Sequence, residues 1–339
     1  MNDIHSIHRV PVLPAFAGAA LLALIAVVTA LAHGSVSIDL LRVGRILAGS
    51  EQGIHADIVL GLRLPRALTA FACGGLLALA GALMQVMLRN PLADPYVLGL
   101  AGGAGTGALG AMLAGLGALA VTASAWAGAL VSLALVLVLS RGSLHRALPE
   151  GDEPLRLLLT GIALAIGWAA LITLALALAP EASLRGMLFW LMGDLDGAED
   201  FRAPLVGLGV LVAVSLALAR DLNVLTLGTQ RARTLGVEIA RVRWHALGIA
   251  SAATALAVTT IGTLGFLGLI VPNAVRIAAG NDQRVVLPLA ALIGGALLTA
   301  ADTVARSAFA PLQLPVGVVV AVAGVPIFIA LLARGRAAG

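Results

Sequence analysis

The chain has 339 residues, of which 60% are hydrophobic, 11% charged and 4% aromatic, and its mean hydropathy is +1.05. A soluble domain carries about 25% charged residues, so this composition excludes a soluble domain, a disordered chain and a disulfide scaffold, and predicts a polytopic membrane protein. The formal net charge is +4, and all 21 basic residues are arginines; without lysine, Schiff-base chemistry and a phosphate-binding P-loop are excluded.

Ten apolar segments are candidates for membrane-spanning helices, which need about 17–25 mostly apolar residues. In chain order they are 11–32, 65–88, 96–118, 121–140, 156–179, 204–219, 246–266, 267–279, 286–304 and 314–333. The eighth is short, and a single broken helix over 246–279 is the alternative. The first ends in a sequence that resembles a signal-peptide cleavage site, but it is longer than usual and further spans follow. We predict an all-α fold with one transmembrane domain over residues 1–339.

The arginines orient these spans. With the N-terminus inside, the inner segments hold fourteen arginines and the outer segments seven, which by the positive-inside rule places both termini inside. The pI near 10.8 therefore indicates membrane loops and not a nucleic-acid-binding surface. Two long outer loops are predicted at 33–64 and 180–203. The inner loop 220–245 carries five arginines and is predicted to dock a soluble partner.

Nothing in the sequence predicts a catalytic, cofactor or metal site. Gly105, Gly107 and Gly110 match a dinucleotide fingerprint, but no strand precedes them, and small residues at this density favour close helix packing. The six histidines have no paired spacing, and Cys73 is the single cysteine. An acidic group lies in the second outer loop, either as a solvated loop or as an attractor for cations; its members are Asp194, Asp196, Glu199 and Asp200.

Two sets of residues stand out at the ends of the spans. Arg63, Arg66 and Arg306 lie at the outer ends, where they either anchor helix ends or form cationic sockets for the carboxylates of a docking protein. At the inner face, the segment 90–95 contains two prolines and interrupts two spans. It is either a plain turn or a constriction at the exit of a path.

Taken together, several ordered motifs resemble the FecCD family of permeases, which serve importers of iron chelates, haem and cobalamin. The resemblance covers about residues 15–335. Its matching residues are Arg63-Leu64-Pro65-Arg66, Gln85, Asn90-Pro91-Leu92-Ala93-Asp94-Pro95, Leu98-Gly99, Trp190, Gly193, Leu227-Gly228, Ala232, Leu235-Gly236, Gly265-Phe266-Leu267-Gly268-Leu269-Ile270-Val271-Pro272, Arg276, Asp282, Arg284, Ala301-Asp302, Ala305-Arg306, Leu314-Pro315-Val316-Gly317 and Gly324-Val325-Pro326.

The resemblance implies a permease domain of ten helices in the bacterial inner membrane, with no cofactor and no catalytic site of its own. It implies two permease copies around a central path, most simply a homodimer, together with two separate ATPase subunits and a periplasmic substrate-binding protein. Arg63, Arg66 and Arg306 would receive that binding protein. Asn90 and Leu92 would form the inner gate. The ATPase-coupling positions would be Leu227, Gly228, Ala232, Leu235 and Gly236.

Two positions depart from the family pattern: Asn273 stands where histidine is usual, and Gln313 where glutamate is common. Neither identifies the substrate, for which a ferric siderophore is expected and haem or cobalamin is the alternative. A secondary transporter driven by ions is the competing class, but it usually needs carboxylates at mid-span. Here the spans are almost free of them, and Asp302 lies near a span end.

Overall fold

The computed structural model describes residues 11–34, 36–145, 152–198, 200–310 and 312–337, and within them all regular structure is helical. This confirms the all-α prediction. The helices are α1 (Val12–Ala32), α2 (Leu40–Leu47), α3 (Ile54–Ala56), which continues through a π-helical segment (Asp57–Arg63) into α4 (Leu64–Met87), then α5 (Leu100–Leu113), α6 (Ala118–His145), α7 (Asp152–Leu178), α8 (Glu181–Leu191), α9 (Arg202–Thr226), α10 (Thr229–Thr234), α11 (Ile239–Ile261), α12 (Leu267–Ala279), α13 (Gln283–Ser307) and α14 (Val316–Ala337).

Each of the ten predicted spans coincides with one of these helices. Within the described parts of the chain, seven helical stretches are long and apolar enough to cross a membrane, and three shorter apolar helices cover Leu100–Leu113, Leu267–Ala279 and Val316–Leu331. The eighth span is a separate helix, because α11 ends at Ile261 and α12 begins at Leu267. The single broken helix over 246–279 is therefore not what the chain forms.

Several boundaries differ from the predicted ones. The third span begins at Leu100, because Asp94 caps a short 3₁₀ turn over Pro95–Leu98 by accepting a hydrogen bond from the backbone N–H of Tyr96. The helices around the predicted inner loop 220–245 also extend beyond their apolar cores. As a result, only residues 227–238, which include the short α10, separate α9 from α11.

Helix α4 forms the centre of the bundle and is buried almost without interruption from Ala67 to Met87. It packs against α9, α11, α12 and α13. Glycines allow the backbones to approach closely: a Cβ added at Gly81 would lie 1.9 Å from the carbonyl oxygen of Gly268 in α12, and one at Gly74 would lie 2.3 Å from that of Gly294 in α13. This is the small-residue packing expected between membrane helices. Helix α4 is therefore the central element of the bundle, and it links the end at Arg66 to the opposite end at Met87.

Candidate sites at the two ends of the bundle

The segments predicted to face outside meet at one end of the bundle, around a buried ion pair. The side chain of Asp302 in α13 is only 2% exposed. It accepts hydrogen bonds from Nε of Arg66 at 3.1 Å and from Nη2 at 3.0 Å, and it lies 3.6 Å from Nε of Arg306. Two of the three predicted docking arginines therefore share one carboxylate of the same chain.

Arg63 and Arg306 also complete the end of α1. The Nη1 group of Arg63 donates to the carbonyl oxygens of Leu31 at 2.7 Å and Ala32 at 3.0 Å, and Nη2 of Arg306 donates to that of Ala30. The last carbonyls of a helix have no partner within the helix and carry partial negative charge, so cationic side chains stabilise them. Both arginines are buried. Their observed contacts are thus those of anchors for a helix end.

A cavity of about 530 Å³ opens beside this network, and all three arginines contribute to its lining, together with Asp196, Gly34 and Gln313. Arg66 connects the buried and the exposed parts of the site. Its side chain is 15% exposed, and its Nη1 group lies 3.2 Å from Asp196, which is 69% exposed, and 3.4 Å from Oε1 of Gln313. The departure at position 313 therefore places a neutral acceptor beside Arg66 where a glutamate would add a charge.

The predicted acidic group serves mainly to shape its loop. Asp194 accepts a hydrogen bond from the backbone N–H of Asp196, and Asp200 accepts one from that of Arg202. Burial raises the pKa of the Asp194 carboxyl above its ordinary value. Glu199 lies outside the described residues. Among the described residues, no group of three histidine, cysteine, aspartate or glutamate side chains could hold a metal ion.

At the opposite end, the segment 90–92 forms a tight turn directly after α4. The side chain of Asn90 accepts a hydrogen bond from the backbone N–H of Leu92 at 2.9 Å, and the Leu92 side chain is exposed. Asn273 of α12 donates to the carbonyl oxygen of Pro91 at 2.7 Å and to that of Leu269 at 2.8 Å. The second departure is therefore a link between α12 and the turn that holds the predicted gate.

The predicted coupling residues surround α10 at the same end. Leu227 and Leu235 flank the short helix and are 55% and 63% exposed, whereas Ala232 lies within the helix and is buried. Gly228 and Gly236 have φ values of +112° and +78°, which suit glycine and set the turns at both ends. Helix α10 is therefore a short helix with one buried residue, and an exposed apolar side chain lies on each side of it.

The inner end of α9 is held by a clamp, a pair of hydrogen bonds between Asn223 and the residues at the start of α13. The sequence did not predict it. Asn223 donates from Nδ2 to Asp282 at 2.7 Å and accepts at Oδ1 from the backbone N–H of Gln283 at 2.8 Å. The Asn223 hydrogen bond, together with one from the backbone N–H of Arg284, lowers the pKa of Asp282. The sequence marks Asp282 only as a motif residue, because its partner lies 59 positions away.

Comparison with known proteins places these features in one family. Residues 21–334 match the FecCD transport family. The cobalamin import system permease protein BtuC of Halobacterium salinarum is 41% identical over 282 residues, which are 82% of this chain and 74% of that protein. The Fe(3+) dicitrate transport system permease protein FecD of Escherichia coli K12 is 39% identical over 293 residues, covering 85% and 88% of the two chains.

A solved structure of a transporter assigned to the metal-chelate ABC type, in an inward-facing conformation, has a TM-score of 0.81 at 29% identity and covers 94% of this chain and 98% of that one. Both relatives are permease proteins of transport systems. The predictions of a multi-pass membrane location and of a transport subunit without its own catalytic chemistry are thereby confirmed. The chain belongs to the FecCD transport family and is a membrane permease subunit of an ABC importer.

Proposed function

We propose that the chain imports a bulky metal chelate, with ferric siderophores as the principal substrate class. The observation that carries this proposal is one relative, a permease named for ferric dicitrate transport, which aligns over 85% of this chain. Cobalamin is the second candidate, because a permease named for cobalamin import is 41% identical. The ion-driven alternative is not favoured, since the buried carboxylate Asp302 is already paired with Arg66 and Arg306.

Uptake by cells that lack this chain tests the substrate. Labelled ferric siderophore, haem and cobalamin are supplied in parallel, and the wild-type chain is then restored. Selective loss and recovery of siderophore uptake is the expected result. Selective loss of haem or cobalamin uptake would instead assign the importer to that substrate.

We propose that the outer cavity receives a carboxylate of a periplasmic binding protein. Three guanidinium groups line the cavity and Asp302 neutralises one of them, so two positive charges remain before the exposed Asp196 is counted. Arginine is suited to pairing with carboxylates through parallel hydrogen bonds. Arg66 is the residue best placed to exchange partners, because one of its two carboxylates, Asp196, is exposed.

Arg66→Gln tests this docking role, with Arg42→Gln as the matched control. Arg42 is also predicted to be outside, but it lies on α2 and pairs with Glu51, and neither residue lines the cavity. Removing one partner of a desolvated charge pair costs about 2–5 kcal/mol, so the Kd of the binding protein for the complex in nanodiscs should rise by about tenfold or more in the Arg66 variant. An unchanged Kd in the folded Arg66 variant would contradict the docking role.

We propose that α10 couples the permease to its ATPase subunits. The exposed apolar side chains Leu227 and Leu235 support this role, because they flank the short helix that connects α9 to α11. Since Cys73 is buried, Leu235→Cys introduces one accessible thiol. A bifunctional reagent should link this thiol to the ATPase, whereas Leu62→Cys, an exposed position at the other end, should give no such product. Absence of the Leu235 product would contradict the coupling role.

We further propose a homodimer whose inner gate includes Asn90 and Leu92. Leu92 is an exposed apolar side chain on the turn after α4, as a residue facing a partner across a path would be. Leu92→Cys should therefore form a disulfide between two copies and block uptake until it is reduced. A complex that contains a single copy of this chain would contradict the homodimer, and a cross-linked dimer with full uptake would contradict the gate.

A further inference from the structure

The inner end of α4 carries a left-handed arginine. Arg89 has φ +48°, a conformation that costs an L-residue roughly 1–2 kcal/mol and that glycine adopts freely. The backbone N–H of Asn90 bonds to the carbonyl oxygen of Gln85 at 3.1 Å, and that of Arg89 bonds to Val86 at 3.3 Å. These two bonds define a Schellman motif with Arg89 at the position where glycine is preferred.

The chain itself provides the comparison. The ends of α2, α5 and α10 carry the same pair of hydrogen bonds, and each has glycine at the left-handed position: Gly49, Gly115 and Gly236. The helix-capping geometry alone therefore does not call for arginine at position 89. A side chain retained at the expense of backbone strain indicates a function for that side chain.

The guanidinium of Arg89 reaches the start of α10. A Cβ added at Gly228 would lie 3.8 Å from Nη2 of Arg89, so the guanidinium lies next to this glycine. Gly228 lies two residues after the end of α9, which terminates at Thr226. A cation at this place is favoured by the partial negative charge of the helix C-terminus.

The backbone of the same residue leads into the gate. Asn90 and Leu92 follow Arg89 directly, and Asn273 holds the carbonyl oxygen of Pro91 to α12 at 2.7 Å. In addition, the side chain of Gln85 donates to the carbonyl oxygen of Leu269 in α12 at 3.2 Å. Arg89 therefore lies between Gly228, which is next to its guanidinium, and the turn at 90–92, which is hydrogen-bonded to α12.

We propose that Arg89 is a positioning residue that transmits movement of α10 to the inner gate. Its side chain lies beside the segment that the ATPase would move, and its backbone sets the direction of the gate turn at the end of α4. The proposal rests on the proposed coupling role of α10. It assigns to Arg89 neither substrate contact nor ATPase binding.

Arg89→Gly gives a test in which misfolding is not a confounding outcome. Glycine relieves the left-handed strain, so the thermal stability of the reconstituted complex should be unchanged or higher. ATP hydrolysis and association with the ATPase should stay near wild-type values, while substrate transported per ATP should fall by about fivefold or more, the lower end of usual coupling effects between sites. Arg89→Lys keeps the charge and should lose less.

Two further measurements separate the possible outcomes. The double variant Arg89→Gly with Asn273→Ala should transport no worse than the worse single variant, because changes on one path are not additive. Normal transport per ATP in Arg89→Gly would overturn the proposal, and so would loss of ATPase binding, which would make Arg89 part of that interface. The coupling role of α10 is tested separately by the Leu235→Cys cross-link in the otherwise wild-type chain. Absence of that cross-link would contradict the coupling role itself.

Discussion

Replacement of Asp302 by asparagine probes the electrostatic network at the outer end of the bundle. The substitution keeps the shape of the side chain and removes its charge, so packing is preserved while Arg66 and Arg306 lose their shared counter-ion. Unit charges about 4 Å apart interact by about 4 kcal/mol at the effective dielectric constant typical of a protein surface. The Asp302 carboxylate lies closer than this to both guanidinium groups, at 3.0 Å and 3.6 Å, and is only 2% exposed.

We therefore expect Asp302→Asn to lower the free energy of unfolding by about 3–5 kcal/mol, the usual effect of removing one partner of a buried ion pair. Asp196→Asn is the matched control. Asp196 pairs with the same Arg66, but it is 69% exposed, so its loss should cost no more than about 1 kcal/mol.

Equilibrium unfolding of the purified permease in mixed micelles, followed by the fluorescence of its four tryptophans, measures these differences. The double variant Arg66→Gln with Asp302→Asn should recover part of the loss, because two neutral amides replace two charges. An Asp302→Asn variant no less stable than Asp196→Asn would refute the reasoning and would mean that water, not Asp302, compensates the arginines.

Two further predictions concern packing and pH. Gly81→Ala should destabilise the chain by about 1–3 kcal/mol or more in the same unfolding assay, because its Cβ would overlap Gly268, whereas Gly209→Ala meets nothing within 4 Å and should be neutral or slightly stabilising. Because the pKa of Asp282 is lowered in the folded chain, the native state should lose stability as the pH falls below the ordinary pKa of an aspartate, about 3.9. Asn223→Ala should flatten this decline in a pH series of unfolding free energies, and an unchanged decline would contradict the clamp.

The spans could be predicted because each contains a long apolar run. Such a run is recognisable from its own residues, whichever helices or lipids surround it. Their ends were less predictable. Asn223 is polar, yet α9 continues through it because its side chain is hydrogen-bonded to Asp282 and to the backbone N–H of Gln283 at the start of α13. Arg243 is charged, yet it is buried within α11. Local hydropathy does not contain that information.

The clustering of the outer arginines followed from topology, since an even number of crossings separates them. Their roles as caps did not, because Arg306 contacts a carbonyl 276 residues away in sequence. The strained conformation of Arg89 was also not predictable from composition. Its only sequence signal is its place directly before an Asn-Pro dipeptide at a helix end, where a turn is expected.

Reconstitution is the sharpest test of the proposal that this chain imports a metal chelate with energy from partner ATPases. Proteoliposomes that contain the permease and its ATPase are supplied with the loaded binding protein, and uptake of labelled ferric siderophore is measured with ATP or with an ion gradient. Uptake that requires both ATP and the binding protein is the predicted result. Uptake driven by an ion gradient without the ATPase would contradict the account.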